Sequence, residues 1–401
     1  MNKLQNYALG QWVAGADNGQ ELFNAITGDV IATASSKGLD FAKMCEYARS
    51  VGGPNLRKLT FQQRGLMLKA LAMHLLSKKE EFYKISWATG ATRIDSWVDI
   101  EGGIGNLFTY ASLRKSFPNE TFCYDGDVAR LSKNNTFIGH HICVPKEGVA
   151  IHINAFNFPV WGMLEKVAVN WLAGVPAIVK PAALTSFLTE AVVKEIIASK
   201  ILPEGALQLI CGSARTLLDT VENQDVVTFT GSASSGRLLK AHSRIINESV
   251  PFNMEADSLN CCVLGTDVTP AMPEFDIFIK EVKKEMTVKA GQKCTAIRRI
   301  FVPENKIEDT WKAIATELGK TAIGNPQNEK VRMGSLAGQS QRDEVRSQVQ
   351  KLLASSEIIY GSLDSVNVID ADATTGAFLS PLLLLNKTPF TSSEPHNIEA
   401  F

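Results

Sequence analysis

The sequence predicts an α/β protein, with a parallel sheet covered by helices on both faces and a second α/β region after it. Three observations carry that expectation. From residue 148 onward, short apolar β-rich runs alternate with helical stretches, the pattern of repeated βαβ units. One of those runs, Val226-Val227-Thr228-Phe229, passes into a glycine- and serine-rich turn that opens a helix. The chain of 401 residues, with 45% hydrophobic content and a mean hydropathy near zero, can bury large cores, and its length suggests two or three domains.

Taken in order, residues 5 to 35 alternate apolar and polar positions around turns at Ala14-Gly15-Ala16-Asp17-Asn18-Gly19 and Thr27-Gly28-Asp29, which predicts short antiparallel strands. Helical periodicity follows from about Asp40 to Tyr110, with breaks expected at Gly52-Gly53-Pro54 and Thr89-Gly90. Within it Leu66 to Leu76 is amphipathic, and His74 reads as a packing residue. Gly148 to Ile153 is a β run, and Pro159 suits the first turn of a helix reaching about Ala173, where its missing N–H is not needed. The alternation continues with a strand Pro176 to Lys180, a helix from about Thr185 to Ser199, a strand Leu207 to Cys211, a helix near Thr216 and the strand Val226 to Phe229. Sheets of this kind bind ligands at the carboxyl ends of their strands. The second half holds an apolar strand Asn260 to Leu264, a helix from about Glu274 to Val288 and further αβ alternation to residue 361. Motif order places the boundary near residue 255, giving domains 1–254 and 255–401.

Composition narrows the partners. Lys plus Arg (41) nearly balance Asp plus Glu (42), so no global field points to nucleic acid or an acidic membrane, and a small-molecule substrate fits better. The seven cysteines, Cys45, Cys123, Cys143, Cys211, Cys261, Cys262 and Cys294, show no disulfide or zinc-site spacing. They are expected to be free thiols in a reducing compartment, with no metal site. The N-terminus lacks the basic start and apolar core of a signal peptide, and no apolar run reaches the roughly 18 residues of a membrane span. A cytoplasmic location is expected.

Five segments carry chemistry. Cys294 lies in the short polar loop Ala290-Gly291-Gln292-Lys293-Cys294-Thr295-Ala296, ahead of a strand-like run from Ile297 to Val302. Only a thiolate attacks carbon, and loops on a rigid scaffold carry most chemistry, so Cys294 is a candidate nucleophile; a buried packing thiol is the ordinary alternative. The turn Thr230-Gly231-Ser232-Ala233-Ser234-Ser235-Gly236 can cradle a pyrophosphate, because glycines admit close backbone approach and a helix N-terminus supplies free N–H groups. Its Gly-x4-Gly spacing matches neither familiar phosphate-loop fingerprint, and a tight βα turn explains it equally well. Lys180 leaves an ammonium at the carboxyl edge of the sheet, as would any solvated strand-end lysine. Neither Ala182 nor Ala183 carries the acidic group that usually holds a 2'-hydroxyl and repels a 2'-phosphate, so NADP is expected to be tolerated. Asn157, in Asn154-Ala155-Phe156-Asn157-Phe158-Pro159, offers an amide donor to a developing oxyanion, or caps the helix that Pro159 opens. Glu255 or Asp257, between apolar runs, is a candidate water-activating base if partly buried; a structural salt bridge is the alternative.

Together these segments resemble the aldehyde dehydrogenase superfamily, over essentially the whole chain and in the family's order. The resemblance makes Asn157 the oxyanion asparagine, Lys180 the cofactor-ribose lysine, and Phe229-Thr230-Gly231-Ser232 with Gly236 the dinucleotide turn. It makes Glu255 the general base, Cys294 in Gly-Gln-Lys-Cys-Thr-Ala the nucleophile, and Glu399 before Phe401 a second ribose-binding residue. The implied fold is a Rossmann-type parallel-sheet cofactor domain plus a second α/β catalytic domain. The Asn154–Pro159 segment, Met254-Glu255-Ala256-Asp257-Ser258-Leu259-Asn260-Cys261-Cys262 and Asp95-Ser96-Trp97-Val98-Asp99-Ile100-Glu101-Gly102-Gly103-Ile104-Gly105 are more narrowly similar to the dehydrogenase domain of the bifunctional ring-opening proteins of phenylacetate degradation. That similarity implies NADP-dependent oxidation (NAD also accepted) of a CoA-linked semialdehyde, 3-oxo-5,6-dehydrosuberyl-CoA semialdehyde, to its acid; in that family a C-terminal hydratase-like domain hydrolyses oxepin-CoA.

Two departures carry expectations of their own. Most superfamily members have a glycine pair after the base, where this chain has Ala256-Asp257; that is typical of the subgroup and is expected to reshape the nicotinamide end of the site. The chain stops at Phe401, inside the usual Glu-x-Phe-Gly-Pro motif, so the end of the catalytic domain, the oligomerisation strands and the hydratase domain are expected to be missing, the intact protein being a homo-oligomer. The expected reaction is attack of the Cys294 thiolate on the aldehyde, loss of hydride to the nicotinamide, and hydrolysis of the resulting thioester by water that Glu255 activates. An acylating dehydrogenase, in which CoA takes the acyl group, and a non-catalytic cofactor-binding fragment are the alternatives.

Overall fold

The computed structural model describes residues 2–401. Contacts divide the chain into two units: residues through Glu21, Ala32–Phe82 and Val98–Ala256 form one, and Leu22–Ile31, Tyr83–Trp97 and Asp257–Phe401 the other.

The first unit is built on a seven-stranded sheet in the order Phe252–Ala256, Val226–Gly231, Ala150–Ile153, Ala177–Lys180, Leu207–Leu209, Gln5–Ala8, Gln11–Ala14. The first five strands are parallel and the last two antiparallel. The predicted parallel sheet is therefore present, with an antiparallel edge. Its parallel strands read as near-continuous apolar runs because both faces are covered. On one face Ile151, Ile178 and Ile210 pack with Met44, Ala48, Leu217 and Val227. On the other, the buried Trp171 of helix Trp161–Ala173 donates its indole N–H to the Ala206 carbonyl at 2.8 Å, and Asn170 of that helix meets His152 Nε2 at 3.0 Å. Burial, with Lys166 nearby, drives the His152 pKa down to about 3. From Ala150–Ile153 the strand sequence runs outward in both directions, so Ile153 sits at a topological switch point, paired with Lys180 on one side and Phe229 on the other.

Helix Phe61–Ser77 begins with a capping box, Thr60 and Gln63 each accepting the other's backbone N–H. The expected break at Gly52-Gly53-Pro54 does not occur. Helical backbone continues from Phe41 to Arg57 through a wide turn at Ala48–Gly52, and Pro54 falls in the first turn of the segment that follows, where no N–H is required. Gly52 serves a close approach instead: a Cβ there would lie 2.1 Å from the Gly205 carbonyl oxygen. Arg49 secures the same helical run by pairing with the fully buried Asp225 at 2.5 Å, while Asp225 also accepts the Val149 N–H at 2.8 Å. The break at Gly90 is present, with φ of +82°.

One element escaped the pattern reading. Cys123–Arg130 and Ile138–Cys143 form an antiparallel ribbon with almost every residue exposed, so no apolar–polar alternation marks it.

The second unit pairs Cys261–Val263 with Arg299–Phe301 in parallel and Ser356–Tyr360 with Leu383–Asn386 antiparallel. Helix Pro273–Thr287 opens on proline with Glu274 and Asp276 in its first turn, favourable at the positive helix end, and buries Phe275, Ile279 and Val282 against Leu264, Ile314 and Leu318. Among the described residues no helix is long and apolar enough to cross a membrane.

Candidate active site

In the first unit the candidate cofactor residues gather at the carboxyl edge of the sheet. Lys180 ends its strand with Nζ turned back on the Pro181 carbonyl at 2.5 Å, and burial lowers its pKa. The strand Val226–Gly231 runs two residues past its apolar stretch, carrying Phe229, Thr230 and Gly231 to the edge. Ser232 then caps helix Ala233–Lys240 by accepting the Ser235 N–H at 3.3 Å. Neither glycine of this turn has a positive φ; room is what they supply. A Cβ on Gly236 would lie 2.8 Å from Met254 Sδ and 3.0 Å from the Phe229 ring.

Beside Lys180 sits Asn154, whose backbone N–H donates to the Lys180 carbonyl at 3.0 Å. Its side chain is 4% exposed, and neither amide atom has a hydrogen-bond partner. Such a group costs about 1–3 kcal/mol unless something pairs with it. A switch point with a cation, a capped helix N-terminus and an orphaned buried amide suits a polar, anionic dinucleotide.

Asn157 is 7% exposed, and the following helix has Val160 at its N-cap with no cap bond from that side chain. The first N–H groups there, of Val160 and Trp161, go to Asp99 Oδ1 at 3.1 and 2.8 Å, from a carboxylate with no solvent exposure. Glu255 stands on the edge strand opposite Thr230, whose hydroxyl donates to it at 3.5 Å. The partial burial that would raise a carboxylate's pKa is met by neither candidate: Glu255, on the edge strand, and Asp257, just past its end, are both exposed. Asp257 holds a left-handed φ of +37°, at the position of the usual glycine pair.

In the second unit the loop bearing Cys294 has an unusual entry. After helix Pro273–Thr287, Lys289 (φ +55°), Ala290 (φ +53°) and Gly291 (φ +76°) are all left-handed. For the two non-glycine residues this costs about 1–2 kcal/mol each. Asp95 Oδ1 accepts the Lys289 N–H at 2.7 Å; the Gln292 amide donates to the Lys289 carbonyl at 2.9 Å and accepts the Ala337 N–H at 3.0 Å. All of these side chains are buried. Past the turn, the Cys294 carbonyl accepts from the Ser258 hydroxyl and from the Asn260 amide, the latter at 2.6 Å. The thiol itself is exposed. Arg298 interacts electrostatically with Cys294. Glu399 accepts the Ser258 N–H at 3.0 Å and faces Arg298 at 3.5 Å; burial raises its pKa. Cys294 and Glu399 are thus joined through Ser258. Among the described residues no His, Cys, Asp and Glu cluster could hold a metal.

Asp95, Asp99, Ser258, Asn260 and Gln292 all lie in segments that stood out in the sequence, yet none had a role there. The one available signal was two carboxylates four residues apart, Asp95 and Asp99, in a helical stretch.

This combination defines an α/β oxidoreductase of the NAD(P)-linked type. The chain belongs to the aldehyde dehydrogenase family, which matches residues 12–394. It is 40% identical, over all of its own length and 78% of the relative's, to a 3,4-dehydroadipyl-CoA semialdehyde dehydrogenase of Aromatoleum evansii. Its fold is similar to that of succinate-semialdehyde dehydrogenase from Burkholderia pseudomallei (TM-score 0.82, 21% identity, 97% of this chain and 77% of that one). It is also similar to betaine aldehyde dehydrogenase from Staphylococcus aureus in complex with NAD+ (TM-score 0.80, 19% identity, 95% and 73%). The activity of the family is oxidation of an aldehyde to an acid.

Proposed function

We propose that the substrate is a CoA-linked semialdehyde of aromatic-compound degradation, of the dehydroadipyl or dehydrosuberyl kind, oxidised to its carboxylic acid with NADP preferred over NAD. The observation that carries this reading is Cys294 on a loop held at both ends; the relative matched along the whole chain supports the substrate class. Lys180, Phe229, Thr230, Gly231, Ser232, Gly236 and Glu399 would hold the dinucleotide, which when bound supplies the hydride acceptor.

The Cys294 thiolate attacks the aldehyde carbon. The oxyanion takes hydrogen bonds from the Asn157 amide and the Cys294 N–H, donors whose segments are already fixed by buried partners. Once the carbon has given up its hydride, Cys294 carries the acyl group as a thioester. Glu255 removes a proton from water, which releases the acid. The presence of Glu255 supports water rather than free CoA as acyl acceptor. The exposed apolar side chains along the 123–143 ribbon, Tyr124, Phe137, Ile138 and Ile142 among them, support a homo-oligomer. The cysteines, none of them joined in a disulfide, support a cytoplasmic setting.

The test is oxidation of a CoA-linked semialdehyde, with free acid and reduced cofactor followed without added CoA. Cys294→Ala should lose oxidation while still binding dinucleotide; normal turnover by that variant overturns the reading.

A further inference from the structure

We propose that Asp95 is a positioning residue for the Cys294 loop, holding the left-handed turn 289–291 in the shape that presents the thiol. The inference rests on Cys294 as nucleophile and adds a residue 194 positions away from the turn it grips.

Two consecutive non-glycine residues, Lys289 and Ala290, keep left-handed backbone before the glycine of the loop. Such backbone persists only where its surroundings over-determine it. Here the Lys289 peptide is gripped at both polar atoms. Its N–H is taken by Asp95 Oδ1 at 2.7 Å, and its carbonyl by the Gln292 amide at 2.9 Å. The Asp95 carboxylate is itself held, since Oδ2 accepts the Thr92 N–H at 2.9 Å and the Thr92 hydroxyl at 2.7 Å. Asp95 is 2% exposed, Lys289 4% and Gln292 1%, so water cannot replace these bonds. Four residues separate Lys289 from Cys294, and Ser258 and Asn260 pin the carbonyl at the far end. If Lys289 leaves the left-handed region, the turn reopens and the Cys294 Sγ and N–H are displaced together.

The decisive variant is Asp95→Asn. One oxygen then has to serve both sides, and the two Thr92 donors outnumber the single Lys289 donor. The helix cap is kept, and an amide N–H is set against the Lys289 N–H. The protein is expected to fold, to bind dinucleotide with unchanged affinity and to keep its KM for it. Its kcat should fall about ten- to a hundredfold, as expected for a reacting group displaced by around an ångström. The rate at which iodoacetamide alkylates Cys294, read by mass spectrometry of its peptide, should change in parallel. Adding Ala290→Gly to Asp95→Asn makes left-handed backbone inexpensive and should restore part of both rates. A folded Asp95→Asn protein with wild-type kcat and wild-type Cys294 alkylation overturns the proposal, even if its Tm is lower. Wild-type protein that keeps turning over after complete Cys294 alkylation would instead remove the nucleophile assignment; the loop's dependence on Asp95 would still be read from the alkylation rates.

Discussion

Cys294 is exposed, and its place depends on neighbours that hold its backbone: Ser258 and Asn260 through its carbonyl. Glu255 has a different task, taking a proton from water after hydride has left. Glu255→Gln should therefore still release one equivalent of reduced cofactor per site in a rapid burst, followed by turnover about a hundred- to ten-thousandfold slower. Stopped-flow measurement separates the two phases, and an unaltered steady state would remove Glu255 as the base. At this scale the sequence was informative about which residue types stand where. It was silent on exposure, so whether Glu255 would be partly buried could not be read there, and it is exposed: strand position in a sheet is not a local property.

Elements were legible in proportion to their burial. The parallel strands stand out as apolar runs because both of their faces are covered, and helix Pro273–Thr287 because its buried Phe275, Ile279 and Val282 follow helical spacing. The 123–143 ribbon, solvated on most sides, left no such trace. Gly52-Gly53-Pro54 looked like a break because glycine and proline commonly punctuate; the close approach of Gly205, which explains Gly52, is visible only in three dimensions. Gly236 is the same kind of residue at the candidate cofactor turn. Gly236→Val would press on Met254 and Phe229, forcing helix Ala233–Lys240 off the sheet. The expected result is a destabilisation of about 1–3 kcal/mol and at least tenfold weaker dinucleotide binding. Thermal melts and titration calorimetry report the two effects separately; unweakened binding would mean that the turn is not the cradle.

The sheet core of the first unit also sets how the protein responds to acid. His152 is buried and neutral in the folded state, with its pKa depressed from 6.5 to about 3, while the unfolded ring takes up a proton near 6.5. Between those values the unfolded chain binds more protons. The contribution is fully present above pH 6.5 and is lost as pH falls toward 3, at up to about 1.4 kcal/mol per pH unit. His152→Gln should flatten that part of the curve in urea unfolding at graded pH; an unchanged slope would show that His152 does not govern it. The sequence by itself determined the residue types that can perform the chemistry, their order along the chain and the strands that fold into a buried parallel sheet. Those follow from side-chain chemistry and short-range periodicity. Only the tertiary structure decided that Asp95 grips Lys289, that Asp99 takes the N–H groups of the helix after Asn157, and that Glu399 holds Ser258. Each of these joins a buried or half-buried carboxylate to a backbone N–H at least 61 residues away, and a backbone N–H is the same in every residue but proline, so no local pattern distinguishes the one that will be chosen.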